Sequence, residues 1–101
     1  MDSVPAAYHG VYDGSLEACT RRGVERLTVS ARELRFHESV GVVRSVGYGG
    51  PGAISVEADY EGEGRRWRGL RIFSLNEDGS RLTVKGDGGD SVRVRCPAGA
   101  P

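Results

Sequence analysis

Polar and apolar residues alternate with a period of two along almost the whole chain, as in "ELRFHES" at 33–39, "AISVEADY" at 53–60 and "RLTVK" at 81–85. A strand sends successive side chains to opposite faces, so this pattern builds sheets with one buried face and not amphipathic helices. Clusters of Gly, Asp and Ser interrupt the runs and supply the backbone conformations that tight turns need. Eight strands are predicted, at about 7–13, 25–31, 33–39, 41–48, 53–60, 65–75, 81–85 and 91–96. Short connections between consecutive strands make an antiparallel meander. Eight strands suffice to close one into an up-and-down barrel without exposed edges, and an open sandwich is the alternative.

One stretch breaks the alternation. In "DGSLEACTRRG", Ser15 is placed to cap a short helix, Glu17 suits its positive N-terminal end, and Gly23 is placed to close it. The fold class is therefore all-β, with one short N-terminal helix. At 101 residues the chain fits one domain spanning 1–101, with residues 1–6 and 97–101 as loose tails. The inward set is Tyr8, Tyr12, Leu27, Val29, Leu34, Phe36, Val46, Ile54, Val56, Trp67, Phe73, Leu82, Val84, Val92 and Val94. Most are medium-sized aliphatics, which predicts a filled interior.

Cys19 and Cys96 lie too far apart in sequence for a zinc-ligand or redox-pair spacing. One disulfide, and with it an oxidising compartment, is the expected reading; two buried free thiols in a cytosolic protein is the alternative. The N-terminus, "MDSVPAAYHG", has neither the basic nor the apolar region of a signal peptide. The chain is then cytosolic, or it is a mature form with a replacement start Met. No apolar run approaches the ~18 residues of a membrane-spanning helix.

Charge argues against a nucleic-acid partner. The chain has 14 basic and 14 acidic residues and no net charge, whereas a phosphate-binding domain carries a basic excess. Thirteen of the basic residues are Arg, which suits bidentate phosphate recognition, but a codon bias that also favours Gly and Ala gives the same composition. In "EADYEGEGRRWRGLR", four carboxylates (Glu57, Asp59, Glu61, Glu63) precede four arginines (Arg65, Arg66, Arg68, Arg71). Folded as a hairpin around Gly62-Glu63, the stretch pairs Asp59 with Arg66 and Glu57 with Arg68 on the outside. The same register sets Ala58 against a buried Trp67 inside. It also leaves Arg71 pointing inward. Either a bulge at Gly69 turns Arg71 out, or it is buried with a partner, for which Glu38 is the candidate.

Other motifs carry less. His9 and His37 have no second ligand at metal spacing, and His37, out of phase with Phe36, faces solvent. "GDGGDS", with Asp87 and Asp90, resembles a calcium-binding turn but lacks the repeat or 12-residue loop of one, and reads as a hairpin connection. No cofactor, metal site or catalytic residue is expected. Trp67, Arg65, Arg66, Arg68, Glu38 and Arg71 remain as candidate binding residues.

Several short motifs together resemble a group of small exported barrel proteins of proteobacteria that have no assigned function: Tyr8-x-Gly10-x-Tyr12, Cys19 in a short helix, "LTVSA" at 27–31, "FHESVG" at 36–41, "GEGRRW" at 62–67, "DGSRLT" at 78–83 and "RVRCP" at 93–97. The resemblance implies export to the periplasm or beyond and a Cys19–Cys96 bond. The size also invites comparison with periplasmic lysozyme-inhibitor barrels, as an analogy of fold. The expected function is a monomeric, non-enzymatic binding module at the cell envelope, for a protein or a small ligand. A carrier or enzyme using an interior Glu38–Arg71 pair is the alternative.

Overall fold

Successive strands pair with their sequence neighbours, and the last returns to the first, giving a closed antiparallel barrel in the order β1 to β8. The computed structural model describes residues 2–86 and 89–99. Asp87 in the last predicted turn, and the extreme ends of both predicted tails, lie outside these. The strands are β1 (Gly10–Asp13), β2 (Leu27–Val29), β3 (Glu33–Arg35), β4 (Val40–Tyr48), β5 (Ala53–Gly62), β6 (Arg65–Leu75), β7 (Arg81–Gly86) and β8 (Ser91–Arg95). A 3-10 turn, Ala6–Tyr8, precedes β1, and α1 (Leu16–Arg21) follows it.

The barrel interior is filled. Tyr12, Leu27, Val29, Leu34, Val46, Val56, Phe73, Leu82 and Val84 are buried as expected, with Tyr8, Phe36 and Ile54 packed at the margins. Val4, Val43, Ala58 and Tyr60 join them. Val4 comes from the segment expected to be a loose tail, and its amide donates to the Ala31 carbonyl at 2.7 Å. Val43 and Val46 both face inward because β4 carries an irregularity between Val43 and Ser45 that shifts its phase by one residue.

The last strand corrects the sequence reading. Val92 is exposed, and the inward phase belongs to Ser91, Arg93 and Arg95. An alternating valine–arginine strand leaves its facing to its neighbours. Here Val94 pairs with Asp13 and Arg95 with the inward-facing Tyr12. Asp13, Val94 and Cys96 therefore share the outer face, beneath α1.

That helix begins as expected: the Ala18 amide donates to the Ser15 hydroxyl at 3.0 Å. Its end differs. Arg22, at φ 56°, takes the left-handed cap position expected of Gly23, while the Gly23 amide donates to the Asp13 carboxylate at 2.9 Å. Asp13 is fully buried and also accepts from Arg26 Nε at 3.3 Å, and Arg26 Nη2 reaches the Cys19 carbonyl at 2.7 Å. A disulfide joins Cys19 to Cys96 and fastens the helix over the β1–β8 seam where the barrel closes.

Candidate functional site

The β5–β6 hairpin rises at one end of the barrel, beside the loop 36–39 that links β3 to β4. Its turn is Glu63-Gly64, with φ of 51° and 74°. Positive φ at both central residues is the requirement of a type I′ turn. The turn thus falls one residue later than predicted, and each partner moves two residues along β6. Asp59 pairs with Arg68, Glu61 with Arg66, and Tyr60 with Trp67. A shift of two preserves the faces, so the charges stay outside.

On that outer face the acidic arm answers the basic one. Arg68 Nε donates to Asp59 at 2.9 Å, and Arg44, brought across from the irregular part of β4, donates to the same carboxylate at 3.0 Å. Arg66 Nε lies 3.4 Å from Glu61. The hydrogen bonds from Arg68 and then Arg44 hold the Asp59 carboxyl below its ordinary pKa. Arg65 is exposed near the turn and forms no ion pair among the described residues.

The inner face carries a different arrangement. β6 runs from Arg65 to Leu75 against β5 without a register shift, so no bulge at Gly69 turns Arg71 outward. Arg71 enters the barrel opposite Val56, and its Nε donates to the Tyr60 hydroxyl at 3.0 Å. Its guanidinium carbon stands 4.4 Å from the Phe36 ring centroid and 5.3 Å from that of Tyr60. Glu38 is not its partner. The 36–39 loop, closed by the Phe36 amide on the Ser39 carbonyl, leaves Glu38 exposed and 3.8 Å from His37. The expected interior Glu38–Arg71 pair does not form. The two residues share the loop's neighbourhood only through Phe36.

Aromatic rings complete the cluster. Tyr60 and Trp67 stack with centroids 5.6 Å apart and planes at 15°, and Phe36 meets Tyr60 at 6.1 Å in a tilted contact. Gly41 lies under Tyr60: a Cβ there would come within 2.6 Å of the ring, so a side chain would displace it. Trp67 has the inward phase, but the hairpin projects at the rim, and the indole is 39% exposed instead of buried. A groove of about 820 Å³ opens beside it, lined by Tyr60 and Trp67 and, from the outer face of the sheet, by Val40, Val42, Asp59, Glu61, Arg66 and Arg68.

Arg93 reaches the same cluster from β8. It is 9% exposed, its Nε donates to the Glu25 carbonyl at 2.6 Å and its Nη1 to the Ser91 hydroxyl at 2.6 Å. Its guanidinium carbon is 5.8 Å from the Phe36 ring centroid. Burial lowers its pKa and the charge of Arg71 lowers it further, against the opposing pull of the Glu25 and Asp13 carboxylates. Two guanidiniums therefore lie against one aromatic ring, and Arg93 feels the charge of Arg71.

Of the predicted binding residues, Arg71 and Trp67 each meet Tyr60, and Arg66 and Arg68, in their outer ion pairs, line the groove with Trp67, while Arg65 and Glu38 are exposed. Sequence reasoning missed Tyr60 and Arg93. Tyr60 continues the phase of Ile54, Val56 and Ala58, a legible signal; Arg93 had none, because hydrophobicity alone assigns its valine neighbours to the core. The cluster offers fixed cations, ring faces and a hydroxyl, which suit holding an anion or a flat ring. Among the described residues no three His, Cys, Asp or Glu side chains group as metal ligands, and no helix is long and apolar enough to cross a membrane. No family model, curated protein or solved structure matches the chain.

Proposed function

We propose that the protein is a non-enzymatic binding module of the cell envelope, periplasmic or secreted, that engages its partner with the hairpin end of the barrel. The observation that carries this reading is Trp67: a large ring on the rim, held flat against Tyr60 and open to solvent beside the groove. A pre-positioned indole supplies contact area with little ordering cost, which is why Trp dominates binding hot spots. The Cys19–Cys96 disulfide supports the oxidising compartment, since such bonds persist outside the cytosol. The filled interior argues against a carrier that encloses its ligand.

Capture from envelope extract by the wild-type protein and by Trp67→Ala tests the reading. Trp67→Ala removes a ring at the rim and its stack on Tyr60, which should lower stability by about 1 kcal/mol and leave the fold intact. A partner retained by the wild type and lost by a Trp67→Ala protein that still unfolds cooperatively is the expected result. Equal capture by both proteins would place recognition elsewhere. Assaying lysozyme in the presence of the purified protein addresses the inhibitor analogy, and full lysozyme activity at saturating protein removes it.

A further inference from the structure

Arg71 and Arg93 are the two cations that the barrel places at its mouth without an ion-pair partner among the described residues. Their known acceptors are neutral: the Tyr60 hydroxyl, the Glu25 carbonyl and the Ser91 hydroxyl. Arg71 Nη1 and Nη2 and Arg93 Nη2 have no hydrogen-bond acceptor among the described residues. Among the described residues no buried side-chain nitrogen or oxygen lacks a partner, so these three nitrogens retain contact with solvent. The two guanidinium carbons lie 4.4 Å and 5.8 Å from the Phe36 ring centroid, and their like charges repel. An anion between them would relieve the repulsion and accept from the open nitrogens, and the guanidinium fork matches a planar oxyanion. The Tyr60 ring lies 5.3 Å from the Arg71 guanidinium carbon, and the exposed Trp67 indole stacks on it.

We infer that the mouth is a subsite for a small aromatic carboxylate, its carboxylate at Arg71 and Arg93 and its ring directed toward the exposed Trp67 indole. The inference rests on the hairpin end being the recognition surface and adds the chemistry of what that surface takes. It assigns Arg71 a ligand-contacting role and leaves the outer ion pairs of Arg66 and Arg68 structural. The outer carboxylates Asp59 and Glu61 are engaged by Arg44, Arg68 and Arg66 and do not compete for it.

Trp67 is the sole tryptophan, so its emission reports on this site alone. The full chain is titrated at low ionic strength with benzoate, benzamide, acetate and inorganic phosphate. Benzoate should change the emission saturably, and benzamide, which lacks the charge, should bind at least about tenfold more weakly. Acetate, which lacks the ring, should also fall behind benzoate, and phosphate should displace benzoate if the head site accepts any oxyanion. Arg71→Gln should weaken benzoate at least about tenfold, whereas Arg71→Lys, which keeps the charge and loses the fork, should fall between. Equal responses to benzoate and benzamide, or an Arg71→Gln variant that binds benzoate like the wild type, would overturn the inference. Should Trp67→Ala abolish partner capture while no anion binds, the binding-module reading stands and the subsite falls alone.

Discussion

Arg95 gathers three carbonyl oxygens from two separate segments, donating to Gly79 at 2.8 Å, His9 at 2.7 Å and Ala7 at 2.9 Å. Its guanidinium also stands 4.9 Å from the Tyr12 ring centroid. These bonds tie the 3-10 turn and the β6–β7 connection to the last strand, a task for a planar fork with several donors. A lysine ammonium carries the charge but not the geometry. Arg95→Lys should therefore destabilise the fold by about 2–4 kcal/mol, read by urea unfolding. A loss within error of zero would show that the fork contributes nothing. Neither Arg95 nor Arg93 was legible as an interior residue, because the sequence pattern ranks residues by hydropathy while closure of the barrel ranks them by position. Tyr12 and Asp13 already fix which face of β1 is inward, and β8 must follow.

At the scale of an element, the β5–β6 hairpin separates what a pattern determines from what it leaves open. Alternation settled its faces, so charge stayed outside and Trp67 kept the inward phase. It could not choose between Gly62-Glu63 and Glu63-Gly64 as the turn, because both dipeptides suit a two-residue loop. The later turn brings Tyr60 against Trp67, a ring pair that the earlier one would have replaced with Ala58, and such cross-strand aromatic pairs stabilise sheets. The chosen turn puts Glu63 in the left-handed region, which a side chain with Cβ disfavours. Glu63→Asn should raise stability by about 0.5–1 kcal/mol in thermal melts, and a lower melting temperature would contradict the turn assignment.

The outer face of the same hairpin has a pH signature. The folded-state pKa of Asp59 lies below its unfolded value, so the Arg68 and Arg44 bonds stabilise the fold above the ordinary carboxylate range. That contribution is lost as pH falls through the depressed folded-state value. Wild type and Asp59→Asn should differ at neutral pH and converge in acid. Parallel stability curves across that window would contradict the pairing.

For the whole molecule, closure is the organising event. The β1–β8 seam joins residues from opposite ends of the chain, and the disulfide spans 77 residues across it. Closing a loop of that length in the unfolded chain is worth roughly 4–5 kcal/mol in the chain-entropy account. Reductant should lower the unfolding free energy by an amount of that order, and an unchanged unfolding midpoint would deny the bond a role. The eight strands and the filled core were legible because period-two patterning dictates them, and α1 because its segment breaks that pattern. The mouth was half legible: Arg71 was placed inward by phase, and its setting among Phe36, Tyr60 and Arg93 required the closed barrel.

The central claim is that Arg71 stands inside that mouth against Phe36, free of Glu38. The direct measurement is the nuclear Overhauser spectrum of the isotope-labelled protein at the Arg71 Nε–H resonance. Cross-peaks from this proton to the Phe36 and Tyr60 ring protons, unchanged by Glu38→Gln, are the predicted result. Contacts to Glu38 in place of the rings would contradict it, as would their loss in Glu38→Gln.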